Sequence, residues 1–476
     1  MELSLPLELI HNIIEASRDD LTTLLQFSLV SRQCLEESRR YAFERVQLGR
    51  DSTWHPTVSQ VPMNGSSERL FMESSRIEEF HALLLANTTL GTYVCELDIG
   101  VGSFLPPRER RHAASESQGS GTGGVLAYDL PAILDLLPAL TSLGVTSNKL
   151  CCWTALPPQL QGAIERCCAR QSIKKLEFAE FYDFPYTLVT APPNLEELYL
   201  SYVFEPAAKG HLRSRPPVVR QPRRLKTVSV VDYGSPVVGE LLQEDPEAFS
   251  EVETIIWHLQ SQMDVDVLGR IFQLCETSLQ EVKLEFGVRV GMGSSLFPTY
   301  IRGALSNFVN PRLSSGHATK FDALKLMPQI NRLYLSSRIH LPDTEEEGEH
   351  PRFGLSYDLH LYQSILQTQH QLDVLEVKVG LSTYNNFTST FNLPSRILHK
   401  RKAWKAFDEY LASSLSRDLP APIGFDVNVT WCASESHEPW SGKERVFRGE
   451  LQREMRVRLK RSLEAGRVTL NYTWYT

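Results

Sequence analysis

The sequence predicts an α+β / α/β repeat protein: a small helical module, then a long run of stacked strand–helix units, then further helical segments. Three observations carry this. The chain opens on a sharply started apolar helix, LPLELIHNII, Leu5 to Ile14. A six-residue pattern, apolar-x-x-apolar-x-apolar, recurs nine times between residues 94 and 377. Two amphipathic stretches, 396–416 and 444–463, lie near the C-terminal end. The boundaries that follow are 1–48 for the helical module, 49–92 for a linker and connecting helix, 93–394 for the repeats, and 395–476 for C-terminal helices with a capping strand region.

The first helix is set by Pro6, whose fixed φ and missing N–H suit a first turn, with Ser4 upstream as a cap. Leu9, Ile10, Ile13 and Ile14 recur at helical spacing and cover more than one stripe, so this helix wants partners on two sides. Asp19 or Asp20 caps a second helix carrying Leu21, Leu24, Leu25 and Phe27. Ser31 caps a third, running through CLEESRRYAFERV with Leu35, Ala42 and Val46 near one face. So small a unit buries little surface. Leu5, Leu9, Ile10, Ile13, Leu24, Leu25, Leu29 and Val30 exceed what its core can hide, and surplus apolar surface marks a protein–protein face.

This segment resembles an F-box, the helical module that docks onto the Skp adaptor of cullin-based ubiquitin ligases. The likeness rests on Leu5-Pro6-x-Glu8-Leu9, Asp20-Leu21 and Val30-Ser31-Arg32. Three positions depart from the family pattern. Cys34 stands where a tryptophan is usual, with Ser31 in place of a cysteine, and a later tryptophan is represented by Phe43. The resemblance implies adaptor contacts from Leu5, Pro6, Leu9, Ile10, Ile13, Leu21, Leu25 and Val30.

Residues 51–75 turn polar, with HP, VP and NG punctuation, and read as a linker. Beyond them come VCELDI, LTSLGV, IKKLEF, LEELYL, LKTVSV, VETIIW, LQEVKL, INRLYL and LDVLEV, beginning at 94, 140, 173, 195, 225, 252, 279, 330 and 372. The closing alternation is strand-like. The intervals run 46, 33, 22, 30, 27, 27, 51 and 42 residues, the shorter ones near the 20–29 of leucine-rich repeats. Segments between copies, such as DVDVLGRIFQLCETS, read as helices. The arrangement resembles the irregular leucine-rich-repeat regions that follow F-boxes in many fungal proteins, although no copy shows the asparagine ladder of well-formed repeats. That resemblance implies a solenoid whose units share one continuous core. In the C-terminal stretches, Trp404, Phe407 and Leu411, then Phe447, Leu451, Met455, Leu459 and Leu463, fall at packing-helix spacing.

Recognisable catalytic chemistry is missing from the sequence. GSGTGG at 119–124 follows a polar run instead of a strand, so it reads as a flexible insertion and not a dinucleotide loop. His340, His350, His360 and His370 recur every ten residues without a shared face. The eight cysteines lie scattered or in adjacent pairs, unlike zinc or disulfide frameworks, so no metal or cofactor is expected. No charged-then-apolar leader opens the chain and no apolar run is long enough to span a bilayer. With a net charge of −8, nucleic acid is not an expected partner. Without such a leader or run, membrane is not an expected partner either, and the protein is expected in the cytoplasm and/or nucleus. Two charge runs sit between copies: KGHLRSRPPVVRQPRRLK (209–226), with seven cations and no acid, and DTEEEGE (343–349). Solvated loops account for both. Arginine forks also suit an acidic or phosphorylated target, which makes Arg213, Arg215, Arg220, Arg223 and Arg224 candidate target contacts.

Together these readings lead to an expectation. The chain is a non-catalytic substrate receptor of an SCF-type ubiquitin ligase, bound to a Skp-family adaptor and through it a cullin, with an unknown target on the repeats. The alternative is a leucine-rich-repeat scaffold with no ubiquitin-ligase role.

Overall fold

The structure is a computed structural model that describes residues 6–49, 70–73, 76–101, 128–204, 223–259, 262–286, 327–341, part of 359–369, 372–384, 401–413, 423–432 and 441–475. The 119–124 loop, the 343–349 acidic run, most of the polar 51–75 stretch, Leu5, Arg213, Arg215 and Arg220 lie outside the described residues, as do His350, His360 and His370. The chain is an α/β protein with parallel strand pairing. It divides into two compact units, residues 1–225 with 230–248, and residues 226–229 with 249–476.

The first unit begins with α1 (Leu7–Ala16), α2 (Leu21–Phe27) and α3 (Arg32–Ala42), then β1 (Arg45–Leu48), β2 (Leu70–Met72), α4 (Ile77–Ala86) and α5 (Thr88–Tyr93). It continues through β3 (Glu96–Gly100), α6 (Leu130–Asp135), β4 (Ser142–Cys152), α7 (Pro158–Cys168), β5 (Lys175–Tyr182), α8 (Thr187–Thr190) and β6 (Glu197–Val203). Its strands lie in the order β2-β1-β3-β4-β5-β6. β7 (Thr227–Val231) carries residues of both units, and α9 (Ser235–Glu244) belongs to the first. The second unit contains β8 (Thr254–Leu259), α10 (Gln262–Leu274), β9 (Glu281–Phe286), β10 (Arg332–Leu341), β11 (Val374–Tyr384) and α11 (Arg401–Ala412). β12 (Ile423–Cys432), α12 (Ser441–Arg458), α13 (Lys460–Glu464) and β13 (Val468–Tyr475) complete it, with strands ordered β8 to β13.

The recurring six-residue pattern is the register of the sheet. In every copy the strand starts two residues after the first apolar position: Val94 precedes Glu96, Leu195 precedes Glu197, Leu372 precedes Val374. The three apolar positions are buried throughout, as with Leu176 and Phe178, or Val282 and Leu284. Strand pairing stacks like on like, Leu143 beside Leu176 beside Leu198, and Val282 beside Leu333 beside Leu375. Full burial of such a side chain is worth about 1.5–3 kcal/mol, so each added strand extends one apolar row.

The second position of the pattern works through its main chain. Cys95 O accepts from Thr141 N and Ser142 N, Thr141 O from Lys174 N and Lys175 N, and Lys174 O from Glu196 N and Glu197 N, at 2.7–3.1 Å. In the second unit Glu253, Gln280 and Asn331 carbonyls repeat the arrangement. The same fork exists at Glu44 O, which accepts from Cys95 N and Glu96 N. Glu44 is therefore a position of this ladder, and the sheet begins inside the segment expected to be wholly helical. The third helix stops at Ala42, and Val46 is a strand residue paired with Leu97. The polar stretch after residue 48 thus connects neighbouring strands of the sheet and does not separate the helices from it.

Beyond the nine copies, β12 and β13 continue the same rows, Val377 beside Phe425 beside Leu470. Glu180 and Tyr202, at matching registers of β5 and β6, adopt left-handed φ values of 67° and 51°, a conformation costing roughly 1–2 kcal/mol per residue. In the C-terminal helices Trp404, Phe407, Leu411, Leu451, Met455 and Leu459 are buried. No described helix is long and apolar enough to cross a membrane.

Candidate functional site

Two of the three N-terminal helices, α2 and α3, are fixed by side-chain caps. Asp20 accepts from the Thr23 amide at 3.0 Å and the Thr23 hydroxyl at 2.6 Å, bonds that hold its carboxyl below the ordinary value. Ser31 accepts from the Cys34 amide at 3.1 Å. α1 carries no side-chain cap; Pro6 stands at its N-cap, where its carbonyl takes the Leu9 and Ile10 amides. α1 and α2 both pack on α3 around Ile14, Leu24, Cys34 and Ala42, with Ile10, Leu21, Phe27, Tyr41 and Phe43 against them. Of the departures from the family pattern, Cys34 is thus a core position and Phe43 packs against the core half-buried. Burial first, then Glu15 and Glu37, push the Tyr41 hydroxyl up.

α1 and α2 turn apolar residues both inward and outward. On α1, Ile10 and Ile14 face the core while Leu7, Leu9 and Ile13 are exposed. On α2, Leu21 and Leu24 face inward and Leu25 outward. The turn before α3 leaves Leu29 at 86% and Val30 at 71% exposure. These six make up nearly half of the exposed large hydrophobic residues in the described chain, within 24 consecutive positions. Of the adaptor contacts expected from the sequence, Pro6, Leu9, Ile13, Leu25 and Val30 lie at the surface, whereas Ile10 and Leu21 are mainly core residues. Leu7 and Leu29 join the face unpredicted. Leu29 sits past the end of α2, where helical periodicity says nothing about direction.

Ion pairs tie the module to the first strands. Arg18 meets Glu44 at 2.9 Å, and Arg45 reaches Glu96 at 3.4 Å and Asp19 at 3.5 Å.

The candidate target contacts divide. Arg224 is exposed, but Arg223 is not available to any partner: it is 1% exposed. Its guanidinium donates to the Thr190 carbonyl and, at 3.0 Å, to the Pro192 carbonyl, and lies 3.5 Å from Asp245. A cation read as a loop charge is instead a structural clamp, because buried main-chain acceptors satisfy it.

On the sheet, outward positions of the strands bring cations over aromatic rings, Lys175 over Tyr199 at 4.8 Å and Lys283 over Tyr334 at 5.1 Å. Burial, Glu197 and Glu177 push the Tyr199 hydroxyl well up; burial, Glu281 and Glu376 raise Tyr334. The buried thiols point away from nucleophilic chemistry. Desolvation pushes Cys167 to about 11 and Cys275 to about 12, leaving them protonated at neutral pH. Among the described residues no group of His, Cys, Asp and Glu is arranged to hold a metal ion.

No known protein-family model matches the chain, and no curated protein matches it.

Proposed function

We propose that the chain is a non-catalytic substrate receptor of an SCF-type ubiquitin ligase. The N-terminal helices are its F-box-like module and dock a Skp-family adaptor, through which a cullin is recruited. The parallel strand–helix units form a leucine-rich-repeat-like receptor for a target protein. The observation that carries this reading is the cluster of exposed Leu7, Leu9, Ile13, Leu25, Leu29 and Val30 on a module whose core is already complete. Six large apolar side chains left in water within 24 consecutive residues support a protein–protein face there. The main-chain forks at the second pattern position support the repeat reading, since the same two-amide contact recurs from strand to strand.

The mechanism is proximity. One end of the chain holds the ligase machinery, the sheet holds the target, and the target's lysines reach a high effective concentration near the ubiquitin-loaded enzyme. Co-expression with a purified Skp-family adaptor tests the reading. A stable one-to-one complex is expected; failure to co-purify at micromolar concentrations sinks it and leaves the repeat scaffold without a ligase role.

A further inference from the structure

Lysine and arginine are unevenly shared along this chain. Between Met1 and Asn148 every such position, eleven in all, is an arginine, and the first lysine is Lys149. The 328 residues that follow hold all 14 lysines beside 24 arginines. An even spread would place about four lysines in the first segment. No later interval compares with it, since the longest lysine-free stretch after Lys149 runs only from Lys226 to Lys283.

Electrostatics accounts for only part of this. Arg45 reaches both Asp19 and Glu96, which suits a fork of donors. Arg32, Arg40 and Arg76 do less. Each meets one glutamate three or four residues away, Glu36 at 4.0 Å, Glu37 at 3.9 Å and Glu79 at 3.1 Å, and all three side chains are at least 64% exposed. A point charge does that work equally well, for little gain either way. On α11 and α13 lysine does it: Lys405 meets Glu409 at 3.9 Å and Lys460 meets Glu464 at 3.7 Å, both mostly in water. Where charge leaves the choice open, the C-terminal helices admit lysine and the N-terminal segment does not. What separates the two side chains at such sites is reactivity. A lysine can shed its proton and act as a nucleophile, whereas the guanidinium of arginine stays charged.

We propose that arginine holds the cation positions of residues 1–148 so that this end of the receptor offers its own ligase no ubiquitin acceptor, and that self-modification is confined to Lys149 and the lysines beyond it. The inference rests on the ligase reading above. In the transfer, an unprotonated lysine amine attacks the thioester carbonyl of the ubiquitin-loaded enzyme. A C–N bond forms, the C–S bond breaks, and the enzyme's thiol leaves with the proton that the amine gives up. An amine on the N-terminal helices or the strands braced to them would be presented to that thioester at every turnover without first having to bind, so it would compete with the target's lysines at a constant effective concentration. Arginine keeps the positive charge and the ion pairs of these positions while removing the nucleophile.

The test uses the full chain with purified Skp-family adaptor, cullin, the ubiquitin-activating and ubiquitin-conjugating enzymes, ubiquitin and ATP, without a target. Arg39→Lys, Arg40→Lys and Arg76→Lys are combined in one variant; all three positions are exposed and keep their charge, so melting by circular dichroism and adaptor co-purification should match wild type. The variant is expected to lose its unmodified form several-fold faster than wild type, with ubiquitin mapped by mass spectrometry to the introduced lysines. Wild type should carry ubiquitin only at Lys149 and beyond. Adding Leu9→Asp and Ile13→Asp to the variant should remove the gain, because the lysines are then no longer held to the ligase. Introduced lysines that stay bare while the assembled ligase builds ubiquitin chains overturn the inference and leave the ligase reading standing. A gain that persists without adaptor docking overturns it too. Failure of wild type to bind the adaptor at all brings down the ligase reading, and this inference with it.

Discussion

Replacing Leu9 and Ile13 with aspartate should abolish adaptor docking and leave the fold intact. Leu9 is 47% exposed and Ile13 44%, so about half of each side chain remains to be removed from water. At about 1.5–3 kcal/mol for full burial, each contributes roughly 0.7–1.5 kcal/mol to a complex. Losing both as alanines weakens binding by about tenfold to a hundredfold. Aspartate adds the cost of carrying a charge into a desolvated interface, several kcal/mol per site, which exceeds the whole free energy of a micromolar complex. The other half of each side chain is already buried in the fold, so stability should fall by about 0.7–1.5 kcal/mol per site while the module stays folded. Titration calorimetry with purified adaptor reads the first effect, and denaturant unfolding the second. The reasoning fails if the double mutant binds within a few-fold of wild type. It fails differently if the mutant unfolds, because the outward positions would then belong to the core.

Arg223→Met should cost about 3–5 kcal/mol in denaturant unfolding, since it strands the Thr190 and Pro192 carbonyls and Asp245, whereas Arg224→Gln should be near neutral. Gly91→Ala on α5 should destabilise by roughly 1–3 kcal/mol, because its Cβ would stand 2.2 Å from the Leu136 carbonyl oxygen; Gly424→Ala on β12, with nothing within 4 Å, should be neutral or better. Thermal melts of the pair decide this, and equal shifts would refute it. The raised thiols set a pH dependence. Unfolded Cys167 and Cys275 lose protons above their ordinary 9.0, while in the fold burial keeps them protonated to about 11 and about 12. Their contribution to stability is therefore complete below pH 9 and lost progressively between about 9 and 12, and replacing both by alanine should flatten that alkaline decline.

Strand registers were legible because burial on one face leaves the same mark in each copy. Val94, Leu140 and Ile173 announce strands that begin two residues later. The missed strands have local reasons. β1 follows the third helix so closely that Val46 falls at helical spacing from Ala42, and only its pairing with Leu97 reveals the period-two alternation. In β12, Gly424 occupies the outward position before Phe425 and breaks the usual appearance of the pattern. The caps Asp20 and Ser31 were readable from residue type alone. The division of Ile10 and Leu21 from Leu9 and Leu25 was not, because adjacent apolar residues on a short helix do not say which neighbour takes the core. Arg223 was unreadable for a related reason: nothing in a run of cations marks the one that the fold will enclose.

The junction between α3 and β1 is two residues long, Phe43 and Glu44, and the Glu44 carbonyl is already gripped by Cys95 and Glu96. A flexible tether of about 25 residues lets its ends wander roughly 25–30 Å. Here there is no tether, and Arg18 and Arg45 brace the corner with ion pairs. The N-terminal helices and the first strands therefore form a stiff bracket. On the proposed reading, an adaptor seated on those helices would be aimed along a fixed bearing from the first strands, so which lysines of a target came within range would be decided by direction more than by reach. Hinging the bracket with a short glycine insertion between Phe43 and Glu44 would blur that aim without altering the exposed apolar positions of the helices.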